Sequence, residues 1–163
     1  MERSSFGKQR EDRYFEDYIP GSVYRFGPAQ VAEDEMIAFA RRYDPQVFHT
    51  DPEGARKSAV GTLTASGWFT AVLAMRLLVD HYLPGANLGS PGIDELRWTK
   101  PVYPGDKLSV RVSIVSTRRS RSKPDRGIVY AVIEVLNQRD EVVMTWKGMT
   151  NVRCRDRSDQ PSD

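Results

Sequence analysis

The chain is poor in the side chains that build redox and metal centres: its 163 residues include one cysteine and two histidines. A single thiol, Cys154, excludes an internal disulfide framework and a thiolate-bound metal cluster within one chain. His49 and His81 are too far apart in sequence to give metal-ligand spacing, so no metal is expected. No run of about 18 apolar residues occurs, which excludes a membrane-spanning helix, and no membrane partner is expected. Charge of one sign is missing too. Against 24 Lys and Arg stand 22 Asp and Glu, a net +2 too balanced for a nucleic-acid partner. The one dense basic stretch, "RRSRSKPDR" from Arg118 to Arg126, lacks the interleaved aromatics of a base-stacking surface. It reads as a solvated hairpin loop, with contact to an anionic ligand as the alternative. The N-terminus, "MERSSFGKQREDRYFEDY", is charged where a signal peptide needs an apolar core, so a cytoplasmic location is the expectation.

What is present describes an ordinary globular chain, 39% hydrophobic and 28% charged, of a length that buries one core. Residues 1–16 read as a polar, flexible extension, 17–153 as a single domain and 154–163 as a polar tail carrying Cys154 as a surface thiol. "SVYRFGPAQV" has the content of a short strand. "AEDEMIAFARRY" reads as a helix, with acids in its first turn and Arg41 and Arg42 in its last, ended by Asp44-Pro45. Trp68 to Leu83 reads as a second helix stopped by Pro84-Gly85, apolar over most of its circumference and therefore buried. Four strand-like segments follow, "IDELRWTK", "KLSVRVSIVSTRR", "GIVYAVIEVLNQ" and "EVVMTWKGMTNVR", expected to form an antiparallel meander. The predicted class is α+β, a sheet wrapped around a central helix.

Between the two helices lies "RRYDPQVFHTDPEGA". Asp44 and His49, followed by Asp51-Pro52 and Ala55, resemble the signature loop of MaoC-like dehydratases and (R)-specific enoyl-CoA hydratases. The resemblance covers about residues 18–152 by element order, including "GSPGIDELRWTKPVYPGD". It implies the hot-dog fold, in agreement with the order of elements read above. Three departures are visible: Gln46 stands at the family's Asn position, the Pro is displaced to Pro45, and the helix entry is Ser66-Gly67 rather than His-Gly.

By this resemblance, Asp44 and His49 are the catalytic pair of a hydro-lyase acting on 2-enoyl-CoA or 3-hydroxyacyl-CoA thioesters, with (R) stereochemistry. The Gly67 amide is the oxyanion donor. A carboxylate beside an imidazole can hold one water and share the two proton transfers that hydration needs. Donors at the thioester oxygen stabilise the charge that develops there. Ser66 is expected to cap the helix and secondarily to touch substrate, Asp51 to cap the turn after His49, and His81 to pack at the helix end. Arg118, Arg119 and Arg121 are possible contacts for CoA phosphates. No cofactor is expected, since CoA is part of the substrate. The resemblance also implies a homodimer or dimer of dimers. The competing reading is an acyl-CoA thioesterase or a non-catalytic acyl-thioester-binding protein on the same fold.

Overall fold

The computed structural model describes residues 1–155. Strands β1 (Glu2–Arg3) and β2 (Val23–Gln30) precede helix α1 (Glu33–Tyr43), the short helices α2 (Val47–Thr50) and α3 (Pro52–Lys57), and the long helix α4 (Gly67–Leu77). Strands β3 (Ile93–Trp98), β4 (Lys107–Arg119), β5 (Arg126–Leu136) and β6 (Val142–Arg153) complete the chain. All six strands form one sheet, in the order β1-β2-β4-β5-β6-β3, antiparallel except where β1 joins β2.

Inward-facing rows make the core. Leu108, Val110, Val112 and Ile114 of β4 lie beside Val129, Ala131, Ile133 and Val135 of β5, alternating along each strand with less buried residues of the other face, Arg111 and Ser113 on β4 and Tyr130, Val132 and Glu134 on β5. Helix α4 lies across this concave face and buries Phe69, Thr70, Ala74 and Leu77. Only one side of the helix is buried, however. Trp68 is 57% exposed, and Val72 and Met75 are also open, so the apolar circumference reflects two apolar environments rather than complete enclosure.

Three further expectations are corrected. The meander holds for β4, β5 and β6, but β3 lies at the far edge beside β6 and not next to β4. Its residues alternate weakly and stay half-exposed, so it has no apolar row that would need a central position. Residues 1–16 are not a loose extension. Phe6 stacks on Tyr24 with ring centroids 4.0 Å apart, and Arg13 is 2% exposed beneath it. The Arg13 guanidinium donates to the carbonyls of His81 and Tyr82, at 2.8 and 3.1 Å, where the π-helical turn Leu78–Tyr82 continues α4. A cation on the last carbonyls of a helix satisfies them and complements the dipole. At the other end of the chain, Cys154 is buried rather than a surface thiol, and burial raises its pKa. Residues 156–163 of the expected tail lie outside the described residues.

Candidate active site

Acidic residues Glu33, Asp34 and Glu35 open α1, Arg41 and Arg42 close it, and Asp44 ends it with its N–H on the Ala40 carbonyl at 2.8 Å. Pro45 cannot continue the helix, so the chain turns at once into α2. The His49 N–H bonds to the Gln46 carbonyl at 2.9 Å, and Asp51 caps α3 by accepting from the Glu53 N–H at 3.0 Å, as expected of it. Two short helices thus occupy a stretch whose composition resembled a loop. They bring His49 Nε2 to 3.6 Å from Asp44 Oδ2.

The state of each group follows from its other bonds. His49 Nδ1 lies 2.8 Å from the Thr64 carbonyl oxygen, which can only accept. Nδ1 therefore carries the proton, and in the neutral ring Nε2 presents a lone pair to Asp44. The carboxylate accepts from the Ser66 hydroxyl at 2.7 Å on Oδ2 and from the Gln46 amide at 2.8 Å on Oδ1. These bonds, Ser66 first, hold the Asp44 carboxyl below the usual aspartate range, so it is ionised at neutral pH. Gln46, at the position where the resemblance has Asn, still supplies an amide donor. Two acceptors facing each other at 3.6 Å leave a place for one donor molecule beside them, within about 2.8 Å of both.

Ser66 is fully buried. It is the N-cap of α4, accepting from the Trp68 N–H at 3.3 Å while donating to Asp44, so its hydroxyl is engaged on both sides. Gly67 opens the helix, and its N–H has no partner within the helix. The Gly67 backbone lines a cleft of about 250 Å³ together with Thr64, Thr70, Trp98 and Lys100. On the other side of the helix start is an apolar trough of about 510 Å³ lined by Tyr43, Trp68, Val72, Met75 and Trp146. Neither Asp44 nor His49 lines these two spaces itself: Tyr43, the neighbour of Asp44 in sequence, lines the trough, and Thr64, whose carbonyl meets His49, lines the cleft.

Residues 16–135 match the MaoC-like domain family. The chain belongs to that family. It is similar to a MaoC-like dehydratase from Rhodospirillum rubrum, with 41% identity and a TM-score of 0.81 over 88% of this chain and 99% of that one. The mesaconyl-CoA hydratase of Cereibacter sphaeroides is 27% identical over 91% of this chain, which spans 43% of that protein's length. The R-hydratase PhaJ1 of Pseudomonas aeruginosa shares the fold, with a TM-score of 0.71 at 20% identity, covering 92% of this chain and 94% of that one. The sheet wrapped around α4 is thus the hot-dog fold of MaoC-like proteins.

The remaining candidates of this MaoC-like domain fall elsewhere. Arg118 and Arg119 end β4 and Arg121 follows, about 30 Å along the sheet from Val110 at about 3.3 Å per residue. They stand at the opposite end of the same chain from Gly67 and Trp98. Arg119 is paired with Glu16 at 2.7 Å. His81 stacks on Phe26 with centroids 5.5 Å apart, a packing role at the helix end. Among the described residues no group of three or more side chains could hold a metal ion, and no helix is long and apolar enough to cross a membrane. Sequence reasoning missed Thr64, which acts through its carbonyl and leaves no side-chain signal. It also missed Trp98.

Removing the Ser66 hydroxyl tests this network. Ser66→Ala is expected to cost about 2 kcal/mol and lower Tm by about 4–8 °C at pH 7, from the lost cap and the lost bond to a carboxylate. The folded pKa of Asp44 is depressed, so its contribution is present above the unfolded value, about 3.9, and lost as pH falls through the folded one. The Tm difference between variant and wild type should therefore be smaller at pH 3 than at pH 7 in calorimetry.

Proposed function

We propose that the chain is a hydro-lyase that adds water to a 2-enoyl-CoA thioester, or removes it from the 3-hydroxyacyl-CoA, with Asp44 and His49 as the catalytic residues. The observation that carries this reading is His49 Nε2 facing the Asp44 carboxylate at 3.6 Å while Nδ1 lies 2.8 Å from the Thr64 carbonyl. A carboxylate held at low pKa is a weak base, so Asp44 orients the water and stabilises the charged imidazole, while Nε2 takes the proton. The water oxygen bonds to the β-carbon of the enoyl group, and the double-bond electrons move to the thioester oxygen. The Gly67 N–H, at the positive end of α4, stabilises that oxygen. The proton on Nε2 then goes to the α-carbon, so that H and OH have been added and the enzyme is restored. Dehydration follows the same steps in reverse.

The polar cleft beside Gly67 suits the amide-bearing arm of CoA, and the apolar trough beside Tyr43 suits a hydrocarbon acyl group. The trough is open in one copy. It lies between α4 and β3, and β3 is a sheet edge with unpaired backbone groups. A second copy paired on β3 would cover both the edge and the trough. The expected solution mass is about 37 kDa, twice the 18.5 kDa chain, and light scattering that gives a monomer at working concentration contradicts the pairing.

Purified protein incubated with crotonyl-CoA and longer enoyl-CoAs tests the activity. The expected result is loss of the conjugated-thioester absorbance without release of thiol. Thiol release without hydration would identify a thioesterase, and acyl-CoA binding with neither reaction would identify a binding protein. Either outcome overturns the proposal.

A further inference from the structure

The start of α4 is held from outside by one side chain. Trp98, the last residue of β3, donates its indole N–H to the Gly67 carbonyl at 2.8 Å. Its ring lies so close that a Cβ on Gly67 would meet Cε2 at 2.5 Å and Nε1 at 2.7 Å. The next helix residue, Trp68, meets the same ring edge-to-face, with centroids 5.2 Å apart. The Gly67 carbonyl already has a partner in the regular helical pattern, the N–H four residues on. The indole bond is therefore an additional one, and its effect is to orient the peptide rather than to rescue an orphan acceptor.

We propose that Trp98 is a positioning residue for recognition of the thioester carbonyl, fixing the backbone at Gly67 so that its N–H meets the substrate oxygen. The proposal rests on the functional reading above and adds a residue to it. Ser66, one position earlier, holds Asp44 at 2.7 Å, so the two sides of this helix start set the carboxylate and the amide donor relative to each other. Only glycine at position 67 admits the ring, which couples the residue type there to the indole. Misplacement of a catalytic group by a fraction of an ångström has a large effect on rate, whereas ground-state binding of the rest of CoA is indifferent to it.

Trp98→Phe keeps an aromatic ring and removes the N–H. Trp98 is half-exposed on an edge strand, so the variant should fold with nearly the wild-type Tm. The expected result is a kcat on crotonyl-CoA roughly tenfold lower, with KM within about twofold and the pH profile unmoved, because Asp44 and His49 are untouched. Binding supplies a second readout. Butyryl-CoA and its thioether analogue, which lacks the carbonyl oxygen, should differ in Kd for wild type, and the ratio should shrink in Trp98→Phe while thioether binding holds. A variant kcat within twofold of wild type, or an equal loss of affinity for both ligands, overturns the role of Trp98. Wild type that turns over no enoyl-CoA overturns the hydro-lyase reading instead. In that case the thioester-to-thioether ratio still decides whether Trp98 serves carbonyl recognition.

Discussion

Asp44→Asn and His49→Ala are each expected to lower kcat on crotonyl-CoA by about 10²–10⁴ while leaving the fold intact. Asparagine keeps the shape of the side chain and can still accept from the Ser66 hydroxyl, so the α1–α4 junction survives. It removes the negative charge that orients the water and stabilises a protonated His49. His49→Ala deletes the base itself and leaves the Thr64 carbonyl without its imidazole partner. The two residues act on one water, so the double variant should lose little more than the worse single variant. Steady-state kinetics with circular dichroism on the three proteins checks this. Multiplicative losses would contradict a shared step.

Gly67→Ala is expected to combine the second-largest loss of rate with a loss of stability. The new methyl would fall 2.5 Å from Cε2 and 2.7 Å from Nε1 of the Trp98 ring. Relief requires that the helix start or the indole move, at a cost of about 1–3 kcal/mol. Either movement shifts the Gly67 N–H, and kcat should fall by about 10², close to the effect of removing an oxyanion donor. Adding Trp98→Ala makes room for the methyl. The double variant should regain stability relative to Gly67→Ala without regaining kcat, because the indole bond that orients the peptide is gone. Recovery of both would show that the ring merely crowds the helix.

The candidate pair was legible through its resemblance to a family's signature loop, whose pattern is local: an aspartate at a proline-terminated helix end and a histidine five positions on. The partners that fix its state were harder to read. Ser66 was visible as a cap, but its bond to Asp44 joins positions 22 residues apart. Thr64 acts through a carbonyl that any residue would supply. Trp98 sits in a strand whose pattern says nothing about α4. Strand existence was readable from period-two patterning, whereas the placement of β3 at the far edge depends on which rows of apolar residues meet across the sheet. The first 16 residues misled because charge dominates their composition. Phe6 and Arg13 nevertheless fill and cover the end of the core.

The basic hairpin, read as a solvated loop with contact to an anionic ligand as the alternative, lies away from Gly67 and Trp98 in its own chain. Of its five cations, Arg119 is engaged with Glu16 and Arg126 with Asp125, so part of its positive charge is already matched. Exposed pairs of this kind contribute little to stability.

With only two histidines, the protein suits nitrogen-15 spectroscopy of its imidazoles, and His49→Ala assigns the signals. In the neutral imidazole, His49 is expected to carry its proton on Nδ1 and leave Nε2 bare, with the Nε2 signal moving when an enoyl-CoA or its saturated analogue binds. A proton resident on Nε2 in the free protein would mean that the ring donates to Asp44 and has no lone pair for water, which contradicts the proposed role of His49.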